Sequence, residues 1–215
     1  MLIGLVGCGG FGREIMPLFK DFILSMGVNV TPVFVDSNIS TGFVNGYRVV
    51  SEEEFGAHED GDKRFNVAIG DSRSRQKVAE RMIESGAVPL HIRSNMSAIY
   101  DLNLIGDGSI ICAGSVITSN ATIGRFFHSN LHSYVAHDCV IGDFVTSAPR
   151  VSCNGNVIIE DHAYVGTGAI LKQGTPSKPL RIGKGAIIGM GAVVTKDVPA
   201  GETWIGNPAR PMVKA

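Results

Sequence analysis

His137 and Asp138 stand side by side in "SYVAHDCVIGDF", a stretch otherwise rich in valine, isoleucine and glycine. An imidazole beside a carboxylate pairs a general base with a group that can orient it. A second set of residues with chemical potential opens the chain. Gly7, Gly9 and Gly12 make GxGxxG between an apolar run and an amphipathic one. In that context backbone amides and the positive end of a helix hold a phosphate or diphosphate, with Gly9, Gly10 and Phe11 forming the loop itself. Asp36, followed by Ser37, closes the second apolar run, where an acidic residue hydrogen-bonds a ribose hydroxyl or a base. "AIGDSRSRQ" adds Gly70, Asp71 and Arg75 on the same edge of the implied sheet. A redox dinucleotide would need a second nucleotide-binding half and a domain that uses a hydride, so a nucleotide sugar explains these residues with less. The blander alternative is that the glycines serve only a tight strand-to-helix turn.

Two kinds of element must position these groups. From Ile99 onward one position in six is aliphatic: Ile99, Ile105, Ile111, Ile117, Ile123, Val135, Ile141, Ile159, Val165 and Leu171, resuming at Ile182, Ile188 and Val194. The next residue is often glycine (Gly106, Gly124, Gly142, Gly166, Gly183, Gly189), which predicts tight corners whose backbone angles a side chain resists. The fifth of each six is often small (Ser109, Ser115, Ala121, Ala163, Ala169, Ala186, Ala192). A period of six fits neither a helix nor an alternating hairpin. It fits a short flat strand plus a corner, three of which close a triangular coil. One excursion, "KQGTPSKPLR", makes the step from Leu171 to Ile182 eleven residues long. Such an insertion marks a ligand or neighbouring subunit, or else a tolerated surface loop.

Six-residue sides give eighteen residues per coil, so Ser119, His137 and Gly155 fall in one column and Asn120, Asp138 and Asn156 in the next. The residue above the histidine then has no side chain. That leaves room beside the imidazole and exposes an amide, two things an acyl-transfer site needs. Ser129, Ser147 and Cys153 replace the aliphatic residue in the coils around His137. A stacked polar ladder with a structural histidine is the competing account.

Residues 1–92 follow a different grammar. "LIGLV", "TPVFVD" and "RFNVAIG" read as strands, and "FGREIMPLFKDFILSM" and "SRSRQKVAERMIESG" as helices, the latter closed by Gly86. This predicts a Rossmann-like α/β half domain with a parallel sheet for nucleotide-sugar binding, followed by an all-β parallel β-helix over 93–215. The 215 residues carry a formal charge of −1 and no basic run interleaved with aromatics, which argues against nucleic acid. Cys8, Cys112, Cys139 and Cys153 form no CxxC pair, as expected of reduced thiols in a cytoplasm. The apolar start has no basic flank or cleavage site, so no leader or membrane insertion is expected.

The order "GCGGFGRE", "VD", "AIGDSRSR", "AHDCVIGDF" and "VPAGETWIGNPAR" resembles the sugar O-acyltransferase family, which includes sialic acid O-acetyltransferases and nucleotide-linked aminosugar N-acetyltransferases, over nearly the whole chain. The resemblance implies a left-handed β-helix and an acetyl-CoA-dependent transferase with no metal. It makes His137 the general base, Asp138 its orienting partner, an amide near Gly155 the oxyanion donor and Asn130 an acceptor contact. It points to Gly155, Thr167 and Met190 for coenzyme A, with Arg210 at a CoA phosphate. A homotrimer with sites between subunits is implied, and a cytoplasmic role in surface glycan (lipopolysaccharide) biosynthesis. N-acetylation of a 4-amino-4,6-dideoxyhexose nucleotide is expected ahead of O-acetylation.

Two departures stand out. Some members carry a second histidine nine residues after the first, where this chain has Thr146, and the glycine-rich loop often has histidine where this chain has Phe11. Two other classes remain as rivals. His132 and His137 have the spacing of two zinc ligands in γ-type carbonic anhydrases, which share the coil, but no histidine lies between His91 and His128 to supply the third. A non-catalytic nucleotide-sugar-binding subunit would bind sugar and release no thiol. His128, His132 and His162 are expected to be surface or ladder residues.

Overall fold

The computed structural model describes residues 1–38, 42–58 and 61–212, which divide into two units, Met1–Ser94 and Asn95–Ala215. The first unit runs β1 (Leu2–Val6), α1 (Gly10–Ser25), β2 (Val33–Val35), β3 (Phe43–Val44), β4 (Tyr47–Val50), α2 (Glu52–Ala57), β5 (Lys63–Val67), α3 (Ser72–Glu84) and β6 (Val88–Pro89). The sheet order is β3-β4-β2-β1-β5-β6, parallel except for β3. Ile3, Leu5 and Val6 at its centre are buried because residues on both faces of the strand are covered, which a parallel sheet with flanking helices requires. The covering face of α1 is Ile15, Met16, Phe19 and Ile23, spaced as one helical stripe.

Three elements of this unit escaped the pattern of apolar runs. The β3–β4 hairpin turns on Asn45 (φ 48) and Gly46 (φ 81), and Asn-Gly is the strongest short hairpin signal. Helix α2 is capped by Ser51, whose hydroxyl accepts from Glu54 N at 3.0 Å, and carries Glu52, Glu53 and Glu54 in its first turn. The edge strand β6 is only two residues long.

The second unit is the expected left-handed parallel β-helix. Strands of two or three residues stack in three ladders. The first ladder aligns Ile99, Ile117, Val135, Cys153, Leu171 and Val194; the second Ile105, Ile123, Ile141, Ile159 and Ile182. The third aligns Ile111, Ser129, Ser147, Val165, Ile188 and Trp204. These residues form a continuous buried core in which Ile99 and Ile105 are only partly covered. Partners are eighteen residues apart until the excursion is spanned, where Ile159 meets Ile182, Val165 meets Ile188 and Leu171 meets Val194, each 23 residues on, and the last step, Ile188 to Trp204, is 16. The 172–181 excursion therefore adds five residues (182 − 159 − 18) without disturbing the stack. Ser129 is tolerated inside because its hydroxyl bonds that of Ser115 at 3.2 Å.

The glycines that follow the aliphatic residues serve a different purpose from the expected one. Gly106, Gly124, Gly142, Gly166, Gly183 and Gly189 do not have left-handed backbone. That conformation falls two residues later, on Gly108, Phe126, Phe144, Gly168, Gly185 and Gly191. The glycine after the aliphatic residue is required by the approach of the next coil: a Cβ on Gly106 would lie 2.6 Å from the carbonyl carbon of Gly124, and one on Gly166 2.7 Å from Ile188 O.

Candidate active site

His137 and Asp138 occupy the corner that follows the first ladder. Asp138 is the left-handed corner residue (φ 58), its amide donating to Ser119 O one coil below at 3.1 Å. Left-handed backbone does not by itself demand aspartate here, since His132, Phe144 and Arg150 take the same conformation at other corners. The side chain has a second use. Asp138 Oδ2 lies 2.7 Å from His137 Nδ1. A carboxylate can only accept, so Nδ1 carries the proton and Nε2 presents its lone pair outward. Both side chains are about half exposed, at 48% and 47%.

Gly155 sits directly above the imidazole. A Cβ there would lie 2.5 Å from both His137 Cε1 and Nε2, so only glycine leaves the ring its position. The Gly155 amide has no hydrogen-bond partner among the described residues. The base and a free donor are thus adjacent. The 172–181 excursion belongs to this same corner: Gly174 N donates to Gly155 O at 3.0 Å and Leu180 N to Asn156 O at 3.2 Å.

The remaining expected residues of this unit lie elsewhere. Asn130, Thr167 and Met190 all follow the third ladder, a different edge of the same chain. Asn130 Nδ2 donates to Ser147 O at 3.1 Å, Gly191 N to Thr167 O at 2.8 Å, and Met190 is 82% exposed. Arg210 lies on the short strand antiparallel to Thr203–Ile205, its guanidinium on Ala209 O. Within one chain the His137 edge and the Thr167 edge are separate. Thr146, where some relatives have a second histidine, is buried between His128 and Tyr164 in the third ladder. His128 and His162 are buried, and the His132 ring packs over Gly114. Among the described residues no three His, Cys, Asp or Glu side chains gather as a metal site.

In the first unit the glycine-rich turn is built as the spacing predicts. Gly7 has φ 94, and a Cβ on Gly12 would collide with Gly7 O, so Gly12 lets α1 approach β1. Gly9 and Gly10 have open space above them, and Gly9 is the N-cap of α1 with no side-chain cap. Asp36 faces back into this turn. Its Oδ2 accepts from the Cys8 amide at 3.3 Å and the Cys8 thiol at 3.1 Å, and its Oδ1 from Asn38 N at 2.9 Å. Burial alone would raise its pKa, but these hydrogen bonds outweigh it and hold the carboxyl below the usual range. Burial and the bonded carboxylate push the Cys8 thiol up to about 11.

Asp71 is the N-cap of α3, accepting from Ser74 N at 2.8 Å, and hydrogen bonds from the Ser74 side chain and amide hold its pKa down. Arg75 is fully buried, with its guanidinium on the carbonyls of Ile69 (2.9 Å) and Gly70 (3.3 Å). It supports the Gly70 loop from beneath instead of facing a ligand. Three residues missed by the sequence, Asn38, Glu52 and Arg81, join Gly7, Asp36 and Ser37 around a cleft of about 160 Å³. Arg81 and Glu52 are paired through two bonds, at 2.8 and 3.1 Å. Their separation of 29 residues leaves no local pattern to find.

A glycine-rich strand-to-helix turn on an α/β unit and an open His–Asp pair on a β-helix define an acyltransferase of the hexapeptide-repeat class. Residues 2–82 match the PglD N-terminal domain, and residues 104–119 and 156–196 the hexapeptide repeat of succinyl-transferase. GDP-perosamine N-acetyltransferase of Escherichia coli O157:H7 is 50% identical over 215 residues, covering 100% of this chain and 97% of that one. WeeI from Acinetobacter baumannii AYE superposes with a TM-score of 0.94 at 49% identity, covering 99% of this chain and 100% of its own. PerB from Caulobacter crescentus, solved with CoA and GDP-perosamine, gives 0.87 at 26% identity over 99% and 98%. The chain belongs to the sugar N-acetyltransferases that combine a PglD-type N-terminal domain with hexapeptide repeats. The anhydrase rival is thereby set aside. Among the described residues no helix is long and apolar enough to cross a membrane.

Proposed function

We propose that this protein transfers acetyl from acetyl-CoA to the 4-amine of a GDP-linked 4-amino-4,6-dideoxysugar, GDP-perosamine being the first substrate to try. The observation that carries the chemistry is the gap above His137, which glycine alone at 155 can leave. His137 Nε2 removes a proton from the neutral amine as its nitrogen attacks the thioester carbonyl. The oxyanion that forms is held by the Gly155 amide, and the intermediate collapses with loss of CoA thiolate, which takes the proton from Nε2. Asp138 keeps the proton on Nδ1 and so keeps Nε2 basic. Residues 1–92 hold the nucleotide, with Gly9, Gly10 and Phe11 at the diphosphate, Asp36 and Ser37 at the nucleoside edge and Gly70 and Asp71 beside them. Arg75 acts by supporting that loop. Residues 93–215 do the chemistry. Because Asn130, Thr167 and Met190 lie on another edge than His137, a homotrimer in which that edge of a neighbouring copy faces His137 completes the acceptor and CoA sites. With four free cysteines and two cytoplasmic substrates, the compartment is the cytoplasm, and the product feeds surface glycan assembly.

The test is thiol release from acetyl-CoA with a panel of GDP-, UDP- and dTDP-linked 4-amino-4,6-dideoxysugars and with free sialic acid, beside His137→Ala. Release with the GDP sugar, falling by about 10²–10⁴-fold in the variant, is the expected result. Release only with sialic acid would move the protein to O-acetylation. Equal activity of the two proteins would remove His137 from the mechanism.

A further inference from the structure

The carbonyl behind the open Gly155 amide is held by a thiol. Cys139 Sγ lies 3.2 Å from Asn154 O, nearer than to His137 O (3.7 Å) or Cys153 Sγ (3.9 Å). Cys139 is fully buried, and the transfer reading gives it no task. No main-chain N–H reaches Asn154 O among the described residues, and the Cys153 thiol is 3.9 Å from it. The Cys139 thiol is therefore the donor that satisfies this oxygen.

The contact recurs along the coil. Ser115 Oγ donates to Asn130 O at 3.0 Å, Ser133 Oγ to Ala148 O at 2.8 Å and Asn103 Nδ2 to Thr118 O at 2.6 Å, each fifteen residues on, as Asn154 is from Cys139. In every case the acceptor is the carbonyl just past an inward ladder residue. Asn103, Ala121 and Cys139 share one column, two residues before the paired Ile105, Ile123 and Ile141. Ala121 shows that the column accommodates a side chain with no donor.

What sets Asn154 apart is the amide on the other side of its peptide. The Asn154–Gly155 bond is trans, so its C=O and N–H point in opposite directions. A carbonyl drawn into the core by Cys139 turns the Gly155 N–H outward, where the His137 ring crowds Gly155. A donor on the carbonyl also polarises the amide and strengthens its N–H. The outer flank is fixed too, since the Asn154 side chain accepts from the Tyr134 hydroxyl and donates from Nδ2 to Leu171 O at 2.7 Å.

Resting on the acetyl-transfer reading above, we propose that Cys139 is a positioning residue whose buried thiol holds the Asn154–Gly155 peptide so that the Gly155 amide faces the oxyanion formed beside His137. The competing account is that the thiol only satisfies a buried carbonyl.

The experiment compares three variants. Cys139→Ala removes the donor. Cys139→Ser keeps one in the geometry that Ser115 and Ser133 already use. Cys153→Ala leaves a similar gap in the same core but spares the bond, and melting temperatures are recorded for all three. In Cys139→Ala, kcat is expected to fall about 10–100-fold with both KM values within about twofold. In Cys139→Ser it should return to within about threefold of wild type, and in Cys153→Ala stay within about twofold. An equal loss in Cys139→Ser or in Cys153→Ala, a change confined to KM, or full kcat in Cys139→Ala overturns the assignment. Should Cys139→Ala not fold, Cys139→Val, which fills the space without a donor, takes its place. Asn-Gly occurs twice in the chain, at 45–46 and 154–155, so isotope labels on asparagine carbonyls and glycine nitrogens report only these two peptides by magnetic resonance. The 154–155 signal should shift in Cys139→Ala and return in Cys139→Ser, while the 45–46 signal stays. That readout needs no turnover. Should wild type release no thiol with any acceptor, the transfer reading fails, and the signal alone judges the hold: a shift supports it, and an unmoved signal overturns it.

Discussion

Two corners of the same coil follow the same backbone rule and end in opposite states. At the corner after the second ladder two successive outward amides are capped by the aspartate one coil above: Arg125 N donates to Asp143 Oδ1 at 2.8 Å and Asp143 N to Asp161 Oδ1 at 3.0 Å. The left-handed residues there stack as rings, Phe126 on Phe144 at 5.4 Å and Phe144 on His162 at 5.5 Å, nearly parallel. Salt bridges from Arg125 to Asp143 and from Lys184 to Asp161 close the outside. At the corner after the first ladder the corresponding amide of Gly155 is left open and His137 is the lone ring. Donors that one corner satisfies internally, the other leaves open beside the imidazole. An unmet donor beside the imidazole, in a coil whose neighbouring corner caps such donors with aspartate, points to function more sharply than the histidine does alone.

If the closed corner is there for stability, breaking it should cost folding and leave chemistry alone. Phe144 is buried between two rings, with the Arg125 guanidinium 5.9 Å from its ring centre. Phe144→Ala is expected to destabilise by about 3–5 kcal/mol, lowering the melting temperature by ~10 °C. The kcat of the protein that remains folded should stay within about twofold, since the stack lies at a different corner from His137 and Gly155. A fall in kcat comparable to that of His137→Ala would erase the distinction between the corners.

The open corner should respond in the reverse way. In Gly155→Ala the new Cβ meets the end of a half-exposed side chain that can swing outward, so the melting temperature should move by only a few degrees, roughly 1 kcal/mol. The swing takes Nε2 off the acceptor and places a methyl beside the amide, and kcat is expected to fall about 10–100-fold. Unchanged kcat with an unchanged melting temperature would show that the imidazole does not use the position found here.

Much of this contrast was legible beforehand. The period of six fixed the stacking, and stacking placed Gly155 over His137 without coordinates. What sequence could not supply was the free or bound state of individual amides, because Asp143 caps a residue eighteen positions away only when coil spacing and side-chain rotamer agree. The corner glycines were located correctly and explained wrongly, since crowding by a neighbouring coil and left-handed backbone leave the same letter. Asp36 and Asp71 were chosen for a ligand on the strength of their edge. One is bonded to Cys8, a contact between residues 28 apart that leaves no trace in a single sequence, and the other caps α3, which an aspartate directly before a helical stretch already signals. The excursion at 172–181 was visible as an interruption, but its place in the His137 column depended on knowing where five extra residues leave the ladder.

The smallest expected effect tests the comparison most directly. Asp143→Ala uncovers the Arg125 amide and removes the ion pair, making the closed corner resemble the open one in a single respect. The pair is partly exposed, so its charge contributes little, while losing a partner for one amide costs about 1 kcal/mol. The melting temperature should drop by ~3 °C and kcat should not change. The freed amide has no imidazole in its column, because that position is Arg125, and so it gains no chemistry. Were Asp143→Ala to depress kcat as Gly155→Ala does, the amides of both corners would belong to one coupled network, and openness would no longer identify the active edge.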